Sequence, residues 1–107
     1  SPGEVARTLS GIAKEIDEVT QEISEADAEA MTARGHYERS YLTLVTSGDG
    51  AVELRKAQAK LDAFDAYFAA EVADQKLRAL HSRLRALRDR LEVGRSISAL
   101  VRMEWGS

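Results

Sequence analysis

A chain of 107 residues that is 44% hydrophobic, 31% charged and only 6% aromatic has the composition of long helices rather than of a thick globular core. It contains no cysteine, which excludes disulfide frameworks and thiolate metal sites, and it shows neither a membrane-spanning apolar run nor a signal-peptide pattern, so we expect a cytoplasmic protein. A net charge of −3 weakens the case for nonspecific nucleic-acid binding.

The first half of the chain carries apolar residues at alternating spacings of four and three. The series is Val5, Leu9, Ile12, Ile16, Val19, Ile23, Ala26, Ala30, Ala33 and Tyr37. This spacing is typical of coiled-coil core positions, so it predicts a helix at about residues 4–45. Gly35 lies inside the series, but apolar positions resume after it, and we expect the helix to continue.

The segment TSGDG at residues 46–50 is the one dense turn signal in the chain. Glycine reaches positive φ without a steric penalty, and Asp49 can cap a following helix. A second series with the same spacing follows: Ala59, Ala63, Ala66, Ala70, Ala73, Leu77, Leu80, Leu84, Leu87 and Leu91. We therefore predict a turn at 46–50 and a second helix at about residues 51–92.

The two series match when the chain is folded back near residue 48. Residue i then lies opposite residue 97 − i, to within about one position, so alanines face alanines and the larger aliphatic residues face leucines. The same register brings Glu15 to Arg83 and Glu22 to Lys76 as flanking ion pairs. The predicted fold is all-α, a single domain at residues 1–107. It is an antiparallel two-helix coiled-coil hairpin that dimerises into a four-helix bundle.

The second helix is rich in arginine, and more than one interpretation is open. A solvated, salt-bridged helix face is the first, and an acidic protein partner is the second. The third is a nucleic-acid-binding accessory factor, because guanidinium groups fit phosphates in bidentate fashion. Its predicted contacts are Arg78, Arg85, Arg88 and Arg95. The stretch lacks interleaved aromatic residues and any helix-turn-helix or zinc-finger pattern.

No motif in the sequence predicts catalysis. A nucleophile elbow, a phosphate loop and a metalloprotease helix are all absent from it. The two histidines, His36 and His81, lie apart in the predicted register. We therefore expect no enzyme activity, no cofactor and no metal site.

The predicted register leaves residues 93–107 without an intrachain partner, and Gly94 is a predicted stop for the long helix. This C-terminal extension is apolar, and such exposed clusters mark association surfaces. The alternative is a frayed tail or a tail folded against Val5. The predicted interface residues are Val93, Ile97, Leu100, Val101 and Trp105. A lone hairpin also leaves other apolar residues partly uncovered: Leu42, Val45, Val52, Leu54, Leu61, Phe64, Tyr67 and Phe68. We predict a noncatalytic interaction or assembly protein that forms a homodimer or binds an unidentified protein partner.

The stretch GRSISALVRMEW at residues 94–105 follows a charged helix rich in Ala and Leu. It resembles the C-terminal end of small helical coiled-coil proteins of actinobacterial phages and prophages. The resemblance covers the C-terminal half and implies a phage accessory or host-interaction role in the host cell cytoplasm, without implying site residues. The type VII secretion hairpin family is similar in size, but its Trp-x-Gly lies in the central turn, whereas here the turn is TSGDG.

Overall fold

The computed structural model describes residues 1–106, and within this range the chain is all-α, without a strand. The described residues form three helices, α1 at Pro2–Ser47, α2 at Val52–Asp62 and α3 at Phe64–Gly106. The predicted all-α class is confirmed. Ser107, the last residue of the predicted extension, lies outside the described residues. No helix in the described range has a stretch apolar enough to cross a membrane.

Helix α1 is uninterrupted, as predicted. At its start the Val5 amide donates to the Ser1 carbonyl oxygen at 3.1 Å. The negative charge of Glu4 in the first turn interacts favourably with the positive end of the helix dipole. At its end the Ser47 hydroxyl donates to the Thr43 carbonyl oxygen at 2.7 Å. The chain then turns through Gly50, whose φ of 93° lies in the left-handed region that favours glycine.

The second predicted helix is present as two helices, which are divided at Ala63. Ala63 has φ −95° and ψ 10°, which lie in the bridge region outside the helical range, but its amide still donates to the Ala59 carbonyl oxygen at 2.9 Å. The Tyr67 amide likewise donates to the Ala63 carbonyl oxygen at 3.0 Å. The irregularity is therefore confined to one residue.

The predicted end of the long helix near residue 92 is wrong. Helix α3 continues through Gly94 as far as Gly106, so the C-terminal extension is helical in the described residues. Glycine inside a helix costs about 1 kcal/mol relative to alanine. Gly94 nevertheless suits its position because it faces Leu9, and a Cβ at residue 94 would lie 2.5 Å from Leu9 Cδ2.

The chain divides into two compact units. Unit 1 combines Ser1–Ser24 with the part of α3 that begins at Ala79, and unit 2 is Glu25–Arg78. In unit 1, Val19, Leu84 and Leu87 form a buried cluster. Partly buried Ile12, Ile16 and Ile23 pack against this cluster.

The two segments of unit 1 run antiparallel. Leu9 lies against Gly94, and Glu15 Oε2 is 3.8 Å from Arg83 Nη2. Residue numbers in α3 therefore fall as those of the facing residues in α1 rise. The predicted Glu15–Arg83 pair is confirmed by this distance.

Unit 2 has a narrow core of buried alanines: Ala26, Ala30, Ala59, Ala63 and Ala70. Two ion pairs join its α1 and α3 segments, with Arg34 Nη2 at 2.8 Å from Asp74 Oδ1 and Lys76 Nζ at 3.3 Å from Glu29 Oε2. Their order shows that these segments are also antiparallel. The absence of large side chains at the core positions allows close helix packing.

Around Leu9 and Lys76 the predicted register is wrong by about one heptad, and the Glu15–Arg83 pair still forms because both side chains are long enough to reach along the helices. Lys76 pairs with Glu29, whereas the prediction was Glu22, and Leu9 lies against Gly94 where the predicted register placed Arg88. The reason lies in the turn, because Gly48 packs beside the side chain of Arg55. The chain therefore folds back later than residue 48.

Candidate protein interaction surfaces

The C-terminal part of α3 exposes three large aliphatic side chains on one face. Val93, Ile97 and Leu100 are 60%, 47% and 65% exposed. Their spacings of four and three residues place them in one row on a helix with about 3.6 residues per turn. These three residues are named the C-terminal apolar stripe. They form a hydrophobic row in unit 1 that the described residues cover only in part.

The other two residues predicted for this interface, Val101 and Trp105, form a second row. Val101 is half-buried, and Trp105 is 68% exposed. Both rows meet at Ile97, because Val101 and Trp105 follow it at steps of four residues. The five predicted residues therefore share one broad side of α3. Val101 is turned partly inward, since it continues the heptad line of Leu87 and Gly94.

Opposite charges lie at the two ends of the C-terminal apolar stripe. Arg90 precedes Ile97 by seven residues, and Glu104 follows it by seven. Positions one heptad apart lie on the same side of a helix, and both charged residues are exposed. The stripe thus has a basic end and an acidic end.

All four arginines predicted to contact nucleic acid are exposed: Arg78, Arg85, Arg88 and Arg95. Arg78 belongs to unit 2, and the other three belong to unit 1. Arg85 Nη2 donates to Ser82 Oγ at 3.1 Å, and Arg95 Nη1 lies 2.9 Å from Glu92 Oε1. These contacts occupy part of the donor capacity that a phosphate would use.

Unit 2 exposes a second apolar surface at α2 and the start of α3. Its large members are Leu54 (63% exposed), Leu61 (72%), Phe64 (55%), Tyr67 (43%), Phe68 (59%) and Val72 (52%). We name it the aromatic surface of unit 2. The rings of Phe64 and Phe68 stack with centroids 6.4 Å apart, and the Tyr67 ring lies edge-on to Tyr37 at 5.4 Å.

Sequence reasoning found most of the aromatic surface but not all of it. The exposure of Leu54, Leu61 and Phe68 was predicted from their position off the core series, whereas Val72 was missed. Val72 follows Phe68 by four residues, and that one-turn spacing was the available signal.

In the part of the chain that the structure describes, no three histidine, aspartate or glutamate side chains are grouped so as to hold a metal ion. Compared with known proteins, the chain matches no family model, no curated protein and no solved structure.

Proposed function

We propose that this chain is a noncatalytic protein–protein interaction or assembly protein, and that the C-terminal apolar stripe is its contact surface. The proposal rests on the exposure of Val93, Ile97 and Leu100 in one row of a regular helix. Fully burying an aliphatic side chain of this size is worth about 1.5–3 kcal/mol. Covering the whole stripe with a partner is therefore strongly favourable.

A second copy of the chain is the partner that the stripe fits best. In an antiparallel pair with a twofold axis at Ile97, Val93 lies beside the partner's Leu100. The same axis sets Arg90 opposite the partner's Glu104, and symmetry repeats this pairing. Opposite charges at facing positions favour this register over others. The assembly that we propose is a homodimer.

The architecture that we propose for this homodimer is an antiparallel two-helix coiled-coil hairpin in each chain, with the two hairpins overlapping around Ile97, where their four helices form a bundle. Antiparallel contacts within unit 1 and within unit 2 support the hairpin. The alternating spacing of three and four residues between buried or half-buried positions supports coiled-coil packing.

The cellular setting that we propose rests on the sequence resemblance of residues 94–105. It is a phage accessory or host-interaction role, exercised in the cytoplasm of the host cell. In such a role the C-terminal apolar stripe either joins two copies or binds a host protein through the same row of side chains.

Single-cysteine crosslinking tests the contact between copies, because the chain contains no cysteine. Ile97→Cys places a thiol at the proposed axis, where two copies approach within disulfide distance. Ala99→Cys is the matched control, because Ala99 is exposed and lies two residues away on another side of α3. We expect a disulfide-linked dimer for Ile97→Cys alone. Equal crosslinking of the two variants would contradict the proposed axis.

Mass measurement tests the stripe as a whole. Val93→Gln, Ile97→Gln and Leu100→Gln together remove its apolar character and keep good helix formers. We expect this triple variant to sediment at a lower mass than the intact chain, with an unchanged circular dichroism spectrum. Leu42→Gln changes a leucine that is 59% exposed in α1, and it should keep the intact mass. The same mass for the triple variant and the intact chain would overturn self-association through the stripe.

Arg88 favours a second candidate function, that of a nucleic-acid accessory factor. Arg88 is exposed, and no acidic side chain among the described residues pairs with it. Arg95 and Arg102 follow it at steps of seven residues, so the three share one side of α3. A row of exposed guanidinium groups matches the repeated phosphates of a nucleic-acid backbone.

A further inference from the structure

We propose that the aromatic surface of unit 2 is a second self-association surface, which pairs antiparallel with the same surface of another copy. The observations behind it belong to unit 2 and are independent of the C-terminal apolar stripe in unit 1. The occupant is a second copy because the surface can pair its apolar residues with themselves and its Lys60 with Glu71.

The apolar part of the surface is exposed and held in place. Leu61 is 72% exposed, and Phe64 and Phe68 are 55% and 59% exposed, although aromatic rings are among the most costly side chains to leave in water. The two phenylalanine rings stack on each other, and the Tyr67 ring meets Tyr37 edge-on. Rings that already pack against neighbours have less rotamer freedom to lose when a partner covers them.

The charges on one flank of this surface change sign along the chain. Lys60 lines the same surface recess as Phe64 and Tyr67, so it lies on their side of the helix. Glu71 follows Tyr67 by four residues in α3 and therefore lies on that side as well. Neither Lys60 nor Glu71 forms an ion pair with any described residue. From residue 61 to residue 75 the sequence has four acidic residues and no basic one.

An antiparallel twofold pairing matches both patterns at once. With the axis between Phe64 and Phe68, Lys60 faces the partner's Glu71, and symmetry repeats this pair on the other side of the axis. Leu61 then packs near the partner's Phe68. Like flanks face each other in antiparallel helix pairs, so the opposite charges meet on one flank. A parallel pairing would instead place each Lys60 beside another Lys60.

A chain with two such surfaces binds two other copies. The C-terminal apolar stripe makes one isologous contact, and the aromatic surface of unit 2 makes another. The intact chain is therefore expected to form assemblies larger than a dimer as its concentration rises. Removing either surface alone should limit assembly to dimers.

The test uses the full chain with Val93→Gln, Ile97→Gln and Leu100→Gln as a background, so that the C-terminal apolar stripe does not contribute. In this background Lys60→Glu and Glu71→Lys are made separately, and sedimentation measures the dissociation constant of each dimer. Lys14→Glu, an exposed change in unit 1, is the control for the change in net charge that Lys60→Glu makes. Lys60 and Glu71 are both exposed, so neither substitution disturbs the core.

We expect the background chain to dimerise and each single charge reversal to weaken that dimer about tenfold, because two attractive pairs become two repulsive ones. An equimolar mixture of the Lys60→Glu and Glu71→Lys chains should restore the affinity, since opposite charges then meet on both sides of the axis. A background chain that stays monomeric overturns the proposal. A mixture that associates no better than its components also overturns it, whatever the outcome at the C-terminal stripe.

Discussion

Leu9 and Gly94 are in direct contact, and the contact depends on the missing side chain of the glycine. A Cβ added to Gly94 would lie 2.5 Å from Leu9 Cδ2 and 3.7 Å from Leu9 Cγ. These distances show that the N-terminal segment of α1 lies close to α3 in unit 1. Any side chain at residue 94 must displace the end of Leu9, which packs into the space that glycine leaves.

Substituting Gly94 tests this contact. Gly94→Ala gains helix propensity of about 1 kcal/mol, but the end of the half-buried Leu9 side chain must move to make room, and this offsets part of the gain. We expect the free energy of unfolding to rise by clearly less than that gain, measured by urea denaturation followed by circular dichroism. Gly35→Ala is the matched control, because its Cβ meets no atom within 4 Å, and it should raise the stability. An equal gain in both variants would contradict the contact.

Some features of helix α3 could be predicted from the sequence, and others could not. The alternating spacing predicted which residues turn inward, since every member of both series is buried or half-buried. It did not predict that the helix continues past Gly94. The glycine is useful there because it faces Leu9, and the predicted register placed Leu9 six residues away, at Arg88. The break at Ala63 was also missed, since alanine is the strongest helix former and gives no local signal.

The candidate surfaces were predicted only in part, and the features that were missed depend on the same error in register or on contacts between side chains. Exposure of Val93, Ile97 and Trp105 was expected from an apolar segment without an opposing series. The inward turn of Val101 was not expected, because the predicted register left no α1 residue near it. The relation of Lys60 to Phe64 was also missed, although the two residues are one helical turn apart in sequence and line one recess with Tyr67.

Burial in unit 1 sets a second prediction. Leu87 is 2% exposed within the cluster of Val19 and Leu84, so Leu87→Ala leaves a cavity there. We expect it to lower the free energy of unfolding by about 2–5 kcal/mol. Leu42→Ala removes the same atoms from a side chain that is 59% exposed, and its effect should stay below about 1 kcal/mol. Similar losses in the two variants would show that Leu87 is not a core residue.

The turn supplies a third prediction. Gly50 has φ 93°, a conformation that costs an L residue with a side chain about 1–2 kcal/mol. Gly50→Ala should therefore destabilise the chain by about that amount in thermal or urea unfolding. Gly11→Ala makes the same substitution within α1, where a Cβ meets nothing within 4 Å, and should be stabilising. If both variants gained stability, Gly50 would not hold the left-handed conformation.

The arginines of unit 1 supply a fourth prediction, which separates the two candidate functions. Arg85 and Arg95 have partners within α3, and the whole chain carries a charge of −3, so we expect no binding to duplex or single-stranded DNA at moderate salt. Fluorescence anisotropy with labelled oligonucleotides measures it at low and moderate salt. Steeply salt-dependent binding that Arg88→Glu abolishes, while Lys14→Glu does not, would favour the nucleic-acid function instead.

The single tryptophan gives the last prediction. Trp105 is 68% exposed in the isolated chain and lies in the row that begins at Ile97, so pairing through the C-terminal apolar stripe covers part of its indole with the partner's helix and removes that part from water. We expect its fluorescence emission to shift to shorter wavelength as the protein concentration rises, in parallel with the increase in mass. The Val93→Gln, Ile97→Gln, Leu100→Gln variant keeps Trp105 and should emit as a solvated indole at every concentration. If the mass of the intact chain rises while its emission stays unchanged, the contact between copies lies away from this end of α3, and the stripe is open to a different protein.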